Sequence, residues 1–431
     1  MKKVIHVGVL GLGTVGSGVI HILQERREKI FLDTGYEIRV KTVAVRDLEK
    51  ERDVSIDGIV LTNNLDDITD DPDIDIIVEV MGGIKHAKQS IIKAFYNKKH
   101  VVTANKDLLA SYSTELLQLA HENACDLYYE ASVAGGVPIL RGLIDGLASD
   151  HIRKIIGIIN GTTNYILTKM SQNGWSYDQA LKEAQNLGFA EADSSADVDG
   201  LDAARKLAIL ANLGFSMNIS LDDIHVRGIR HVDKTDLKVA KKLGLTMKLV
   251  GKAEMSNSVI SLSVAPTLLP NHHPLSSVNN EYNAVYVHGQ AVGEVMFYGP
   301  GAGKLPTASA VVSDVISIVK NMNLDTNGYS LLKEPQSYIL KQDQEIFSKY
   351  FIRILLKDER GILKKITECF MNQSISLKEI IELPLDDELV EIVIVTHRTS
   401  RYQFERTLRL LEDVAGTIKS YYCIEVEKEN A

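Results

Sequence analysis

Cysteine is scarce in this chain: Cys125, Cys369 and Cys423 are odd in number and far apart. No pair has the spacing of a zinc ligand set or a redox motif, which argues against a disulfide framework and suits a reducing cytosol. Long basic runs are missing too. With a formal net charge of −9 and no cluster of lysines and arginines large enough to form a patch, no nucleic-acid partner is expected. There is no low-complexity tract and no short internal repeat, so neither a disordered tail nor a solenoid is indicated. Only Val4 to Leu23, preceded by Lys2 and Lys3, is long and uncharged enough to raise a membrane question. It holds Gly8, Gly11, Gly13, Gly16 and Gly18, two histidines and no convincing cleavage site, so a strand, a turn and a helix explain it better, and no membrane association is expected.

The composition is that of a soluble globular protein, 45% apolar and 24% charged, and 431 residues exceed one core, so two or three domains are expected. Val4 to Leu10 is a buried-strand run, Gly11-Leu12-Gly13-Thr14-Val15-Gly16 is a G-x-G-x-x-G, and Val15 to Phe31 reads as a helix. Strand, glycines and helix in that order are the context of a dinucleotide fingerprint, in which the backbone approaches a pyrophosphate at a helix N-terminus. The alternative is a Gly-rich turn. After the second strand, Glu37 to Val45, stands Arg46, able to meet a 2′-phosphate and so to favour NADP(H); NAD(H) is the alternative, with Asp47 on the ribose.

Ile74 to Val80 is a further strand, His86 to Asn97 a helix, and His100-Val101-Val102 a short strand delivering Thr103-Ala104-Asn105-Lys106. Ligands in open α/β sheets lie at carboxyl ends of strands, so Lys106 faces either cofactor or substrate, or is a helix-start lysine in water. A helix from Ser113 to Asn123 and a strand from Asp126 to Glu130 run into Ala131-Ser132-Val133-Ala134-Gly135-Gly136-Val137-Pro138, whose small residues suit either inward-pointing carbonyls or an ordinary turn. A strand from His151 to Ile159 ends in Asn160-Gly161-Thr162-Thr163-Asn164, a cluster that either lines a site or caps the next helix.

Gly188 to Leu213, GFAEADSSADVDGLDAARKLAILANL, carries the densest chemistry. From Leu201 it is helical, and at about 100° per residue its apolar positions leave only Arg205 and Asn212 as a polar seam. Asp202 and Lys206 are four apart on a stripe continued by Ile209 and Leu213, so the pair belongs to no wet face. One reading is an ordinary ion pair; the other, which burial costs favour, is a lysine held as a proton donor beside a carboxylate that orients it or grips a substrate. Glu191, Asp193 and Asp197 are either partners of a substrate ammonium or solvated loop acids.

Strands follow over Thr246 to Met255, Val259 to Ala265, Asn283 to His288 and Glu294 to Tyr298, then Gly299-Pro300-Gly301-Ala302-Gly303-Lys304-Leu305-Pro306 opens a helix to Lys320. The class is α/β: a Rossmann-type nucleotide-binding domain over 1–130 plus about 300–333, an α+β second domain over 131–299, a linker over 334–348, and a compact β-α-β-β-α-β, ferredoxin-like unit over 349–431 that includes a Pro384-Leu385-Asp386-Asp387 turn.

With these motifs in view, the chain resembles homoserine dehydrogenase of the longer form with a C-terminal ACT domain. The likeness covers nearly the whole length and rests on the Gly188 to Leu210 stretch, supported by GLGTVG, TANK, EASVAGGVP, NGTTNYIL and GPGAGKLPTASAVVSD. It implies reversible hydride transfer between NAD(P)H and the aldehyde of L-aspartate 4-semialdehyde, giving L-homoserine in threonine and methionine biosynthesis. Residue by residue, it implies Lys206 as acid/base with Lys106 assisting beside the nicotinamide, and Glu191 and Asp202 on the substrate's amino acid end with Asp197 in support. It further implies Gly13, Thr14, Val15, Gly188 and Gly303 at the cofactor, and a sodium-like ion held by Glu130 and the carbonyls of Val133, Gly135 and Val137. A homodimer or homotetramer built by joining sheets is implied, as is threonine at the tail through Asp358-Glu359-Arg360-Gly361-Ile362-Leu363; the tail as a purely oligomerising module is the alternative. The alternatives to this reading are a dehydrogenase of another small amino-acid aldehyde and a non-enzymatic nucleotide and amino-acid sensor.

Overall fold

The computed structural model describes residues 3–328, 336–384, 389–412, 414 and 417–423, and the chain forms two compact units. The turn expected at 385–387 lies outside the described residues. The first unit comprises Met1–Ile159, Arg205–Asp222 and Glu281–Ser337; the second comprises Asn160–Ala204, Asp223–Asn280 and Tyr338–Ala431.

In the first unit, β1 (Lys3–Leu10), β2 (Tyr36–Ala44), β3 (Val60–Thr62), β4 (Ile76–Glu79), β5 (His100–Thr103) and β6 (Leu127–Tyr128) form a sheet in the order β3-β2-β1-β4-β5-β6. Every pairing in it is parallel, and the order reverses between β1 and β4, where a doubly wound sheet opens its binding crevice. β4 and β5 are buried at every position, as continuous apolar runs covered on both faces must be. The helix Lys304–Leu324 returns to this layer: Val311, Val315, Ile318 and Val319 share a core with Val7, Val9, Val19 and Ile20. Gly18 allows the close approach, since a Cβ there would lie 2.6 Å from the Lys304 carbonyl oxygen.

Two helices differ from the sequence expectation. The segment expected as one helix to Phe31 is two, Thr14–Glu25 and Arg27–Thr34, separated at Arg26, which leaves the helical region. The helix expected from Ser113 starts at Lys106, because Asn105 Oδ1 accepts the Leu108 amide at 3.1 Å and caps it there. β6 is also shorter than expected, and Glu130–Ser132 is a 3₁₀ turn. The unit's other strands, Gly293–Pro300, Tyr282–Gly289 and Ile152–Ile158, are antiparallel neighbours in that order.

The second unit holds helices Gly161–Asn173 and Tyr177–Asn186 and a long hairpin, Leu245–Ser256 with Val259–Pro270, turned by Asn257 and Ser258 at positive φ. Its C-terminal part runs strand Phe347–Lys357, helix Ile362–Asn372, strand Leu377–Pro384, strand Leu389–Thr396, helix Arg401–Glu412, strand Thr417–Cys423. The fourth of these strands pairs with the first, the first with the third and the third with the second, all antiparallel, which is the ferredoxin-like β-α-β-β-α-β arrangement. Tyr350, Ile352, Ile366, Phe370, Ile392 and Phe404 fill its core.

Candidate active site

The loop after β1 is glycine because two of its positions have no room for a side chain. Gly11 has φ +106°, and a Cβ there would lie 2.8 Å from the Val80 oxygen and from Met81 Cα. A Cβ on Gly16 would lie 2.2 Å from the Gly11 oxygen. Gly13 faces open space; it is the N-cap of Thr14–Glu25, with no side-chain cap and no acid in the first turn. The amides of Thr14, Val15 and Gly16 therefore meet no competing carboxylate, at the carboxyl end of a parallel sheet, which suits a pyrophosphate. Gly303, at φ +126°, caps Lys304–Leu324, whose first residue lies against Gly18. Arg46 is exposed directly after β2, while Asp47 Oδ1 is engaged by the amides of Glu49 and Lys50 at 3.0 and 3.3 Å.

Lys106 and Lys206 both belong to the first unit, and their sequence neighbours join the segments that carry them. Asp107, after Lys106, pairs with Arg205, before Lys206, at 3.2 Å. Lys206 Nζ donates to the Ile159 carbonyl at 2.9 Å. Below Lys106, Asn105 Nδ2 donates to the Gly83 carbonyl at 2.6 Å, and Glu79 is wholly buried at the end of β4. Glu79 accepts Thr103 Oγ1 at 2.6 Å and the Met81 and Gly82 amides at 3.0 and 3.3 Å; burial nevertheless holds its carboxyl above the usual range.

In the second unit Asn160 caps the helix that follows it and also bonds two acids. Its Oδ1 accepts the Thr163 amide at 2.8 Å and caps Gly161–Asn173; its Nδ2 donates to Asp197 Oδ1 at 2.6 Å and Asp202 Oδ2 at 2.8 Å. Asp202 is 3% exposed, so its carboxylate is held where water is scarce. Asp202 and Lys206 are one turn apart on Leu201–Phe215, and the adjacent residues Ile159 and Asn160 hold one each. Glu191 and Gly188 are exposed near the end of Tyr177–Asn186, where Gln185 Nε2 donates to the Glu191 and Ala192 carbonyls at 3.3 Å each. Asp193 caps Ser195 at 3.0 Å.

The Glu130 turn lies in the first unit. Glu130 accepts the Leu140 and Arg141 amides at 2.8 Å each, while its own amide donates to Asp314 Oδ2 at 2.8 Å. Burial drives Glu130 up to about 7 and Asp314 up to about 6, against the pull of Arg141, which bonds Asp314 at 2.8 Å. Ala134 and Gly135 both have positive φ, and Gly135 lies against the Gly301 carbonyl. Both Glu130 carboxylate oxygens are thus taken by backbone amides, and among the described residues no cluster of three or more His, Cys, Asp or Glu side chains offers a metal site.

Asn283, wholly buried on Tyr282–Gly289, was not singled out from the sequence. Its amide lies against Gly301, where a Cβ would come within 2.2 Å of Asn283 Cγ, and neither Oδ1 nor Nδ2 has a hydrogen-bond partner among the described residues. A buried amide in a strand that otherwise reads apolar was the available signal, as were Glu79 and Asp314 in their apolar runs.

A family model described as "Homoserine dehydrogenase, NAD binding domain" matches residues 11–130, and one described as "Homoserine dehydrogenase" matches residues 138–316. The homoserine dehydrogenase of Bacillus subtilis is 53% identical over 427 residues, covering 98% of this chain and 99% of that one. The chain belongs to the homoserine dehydrogenase family. The homoserine dehydrogenase of Lactococcus lactis is 40% identical over 97% of this chain and 98% of its own. A homoserine dehydrogenase structure from Thiobacillus denitrificans superposes with TM-score 0.92 at 36% identity, covering 98% and 99% of the two chains. A hyperthermophilic archaeal homoserine dehydrogenase in complex with NADPH matches at TM-score 0.63 and 29% identity, covering 75% of this chain and 98% of that one.

A homoserine dehydrogenase is an NAD(P)-dependent oxidoreductase, and the reaction here is the reversible reduction of L-aspartate 4-semialdehyde to L-homoserine. The readings as a sensor or as a dehydrogenase of another aldehyde are not favoured. Among the described residues no helix is long and apolar enough to cross a membrane.

Proposed function

We propose that Lys206 is the proton donor to the substrate carbonyl oxygen in homoserine formation, and its acceptor in the reverse direction. The observation that carries this is the pairing of Lys206 and Asp202, one turn apart on a helix, with the adjacent Ile159 carbonyl and Asn160 side chain. A lysine ammonium at the carbonyl oxygen offsets the charge that develops there and supplies the proton. Lys106 assists at the same centre, its segment tied to that of Lys206 by Asp107 and Arg205. Asp202, Asp197 and Glu191 grip the ammonium of the substrate's amino acid end. A bound nicotinamide supplies or accepts the hydride.

Gly11, Gly13, Thr14, Val15, Gly16, Gly188, Gly303, Arg46 and Lys106 hold the cofactor. NADP(H) is preferred and NAD(H) possible, supported by an exposed arginine after β2 and by the NADPH complex of the archaeal relative. Glu130 with the carbonyls of Val133, Gly135 and Val137 holds a sodium-like ion. Residues 349–431 form an ACT domain that binds threonine, a reading supported by its β-α-β-β-α-β order. A homodimer or homotetramer forms through the edge strand Gly293–Pro300, which exposes Met296 and Tyr298. The enzyme works in the cytoplasm, and the division into domains 1–130 with about 300–333, 131–299, linker 334–348 and 349–431 describes its functional parts.

The test is loss of NADPH absorbance with L-aspartate 4-semialdehyde, with and without threonine. Lys206→Ala should lower kcat by roughly 10²–10⁴ while NADPH affinity stays nearly unchanged. A fall below about tenfold would remove Lys206 from the role.

A further inference from the structure

The strand Tyr282–Gly289 is apolar at Ala284, Val285 and Val287, each fully buried, and yet its second residue, Asn283, is buried just as completely. Neither Oδ1 nor Nδ2 of Asn283 has a hydrogen-bond partner among the described residues. Leaving a buried amide unpaired costs stability, whereas an apolar side chain of similar shape carries no such cost. A residue that served only to fill this space would be a leucine or a valine. A buried polar side chain without a partner needs a reason, and the chain segment packed against it supplies one.

That segment is the main chain of Gly301, where a Cβ would fall 2.2 Å from both Cγ and Oδ1 of Asn283 and 2.5 Å from Nδ2. The chain is fixed on either side of it. Before it, the Pro300 carbonyl accepts the Gly136 amide at 3.1 Å. After it, Lys304 opens the long helix Lys304–Leu324, and its carbonyl packs on Gly18, where a Cβ would lie 2.6 Å away. Between these two points stand Gly301-Ala302-Gly303, and two glycines in three residues let the backbone angles change at little steric cost. The amides of Ala302 and Gly303 donate to no backbone carbonyl among the described residues, and both residues are exposed. Donors on this span and an acceptor packed against it are complementary.

We propose that Asn283 is a positioning residue for the nicotinamide cofactor. On cofactor binding the Gly301–Gly303 span settles onto the Asn283 amide, Oδ1 accepts a main-chain amide of the span, and Gly303 is held against the cofactor at the head of Lys304–Leu324. This rests on the proposed contact of Gly303 with the cofactor. The free enzyme leaves the Asn283 amide unpaired and the cofactor-bound enzyme pairs it, so the asparagine favours the bound arrangement over the free one. Asn283 acts through the span and touches no reacting atom, so its effect falls on cofactor affinity rather than on hydride or proton transfer.

The experiment is fluorescence titration of the full-length enzyme with NADPH and with NADH, beside the melting temperature of the cofactor-free protein. Two apolar variants are compared, Asn283→Leu, which matches the branching of asparagine, and Asn283→Val, which is shorter. The more stable of the two should melt at the wild-type temperature or above it, and yet bind the preferred cofactor about tenfold or more weakly, with most of the kinetic loss in KM for that cofactor rather than in kcat. Gly301→Ala should lower both melting temperature and affinity. Adding Asn283→Ala makes room for the new methyl group and should restore the melting temperature but not the affinity. The proposal is overturned if the more stable apolar variant binds cofactor within about twofold of the wild type. It is overturned as well if both apolar variants melt lower when cofactor-free, since the amide would then be paired already. Recovery of affinity in Gly301→Ala/Asn283→Ala also overturns it, by showing that the span needs room and not a hydrogen bond. Gly303→Ala separates this inference from the contact on which it rests. Weak binding there, with the Asn283 variants unchanged, overturns the role of Asn283 alone; unchanged binding in Gly303→Ala overturns the Gly303 contact and the role of Asn283 with it.

Discussion

Two buried charge clusters, one in each unit, carry the same excess of one acid and yet hold their acids differently. Glu130, Arg141 and Asp314 are two acids around one base, and both acids are pushed well above the usual carboxylate range by burial. In the second unit Arg353, 7% exposed, reaches Asp236 and Asp233 at 2.6 Å each and also Glu391, while Lys419 reaches Asp233 at 2.5 Å. There burial also works to raise Asp233, but the Lys419 bond and the Arg353 charge outweigh it and hold the acid below its ordinary value. The second cluster, three acids with two bases, fastens Phe347–Lys357 to the helix Lys234–Lys242, whose capping residue Asp233 and first-turn Asp236 both serve it. In the first, one base serves two acids and burial outweighs it at both. What separates the two is whether a neighbouring cation outweighs burial at an acid, as it does at Asp233 and does not at Glu130 or Asp314.

The largest effect should come from removing the base that completes the second cluster. Arg353→Met leaves Asp236 and Glu391 buried without it and should cost about 3–5 kcal/mol in urea denaturation. A cost under about 1 kcal/mol would make the cluster no fastening at all. Next, replacing choline chloride by sodium chloride should raise the melting temperature, by the equivalent of about 2–3 kcal/mol at roughly a hundred times the dissociation constant, and Glu130→Gln should abolish the gain. An equal sodium response in the variant would dissolve the contrast.

A smaller effect sharpens the rule from the other sign. Lys248, 1% exposed, donates among the described residues to neutral groups, Asn164 Oδ1 at 3.0 Å, the Val278 carbonyl at 2.5 Å and Asn279 Oδ1 at 3.3 Å, and burial brings it down to about 7. Between about 7 and the ordinary 10.5 the folded state binds fewer protons than the unfolded one, so this group's contribution to stability rises with pH across that window. Lys248→Met should therefore flatten the stability profile above neutral pH by up to about 1.4 kcal/mol per pH unit; an unchanged slope would show the amine charged throughout. Least of all, Lys419→Met should cost at most about 1 kcal/mol, since Arg353 still serves Asp233 and Asp236.

The sequence carried the dinucleotide loop and the tail's element order because both are periodic and punctuated: apolar runs, glycines, then turns. Lys206 and Asp202 stood out because charge in an apolar stripe needs a reason. The start of the helix at Lys106 was missed because an asparagine cap competes with a later serine that looks equally suitable, and only the bond to Leu108 decides between them. The pairing of Asp107 with Arg205 and the hold of Asn160 on both Asp197 and Asp202 are long-range, joining residues 37 to 98 positions apart, and no local pattern encodes them. Asn283 was passed over because a single amide in a strand looks like a surface residue until its burial is known.

The interlock of Gly11, Gly16 and the Val80–Met81 backbone has a consequence for how this enzyme can change. Every amino acid one nucleotide away from a glycine codon carries a Cβ, and at Gly11 and Gly16 that atom lands on main chain rather than on a side chain able to swing aside. No single step, nor any pair of steps through these two positions, offers a relieved intermediate. Libraries seeking a new cofactor preference should hold the loop fixed and draw their diversity from the exposed residues 46–50.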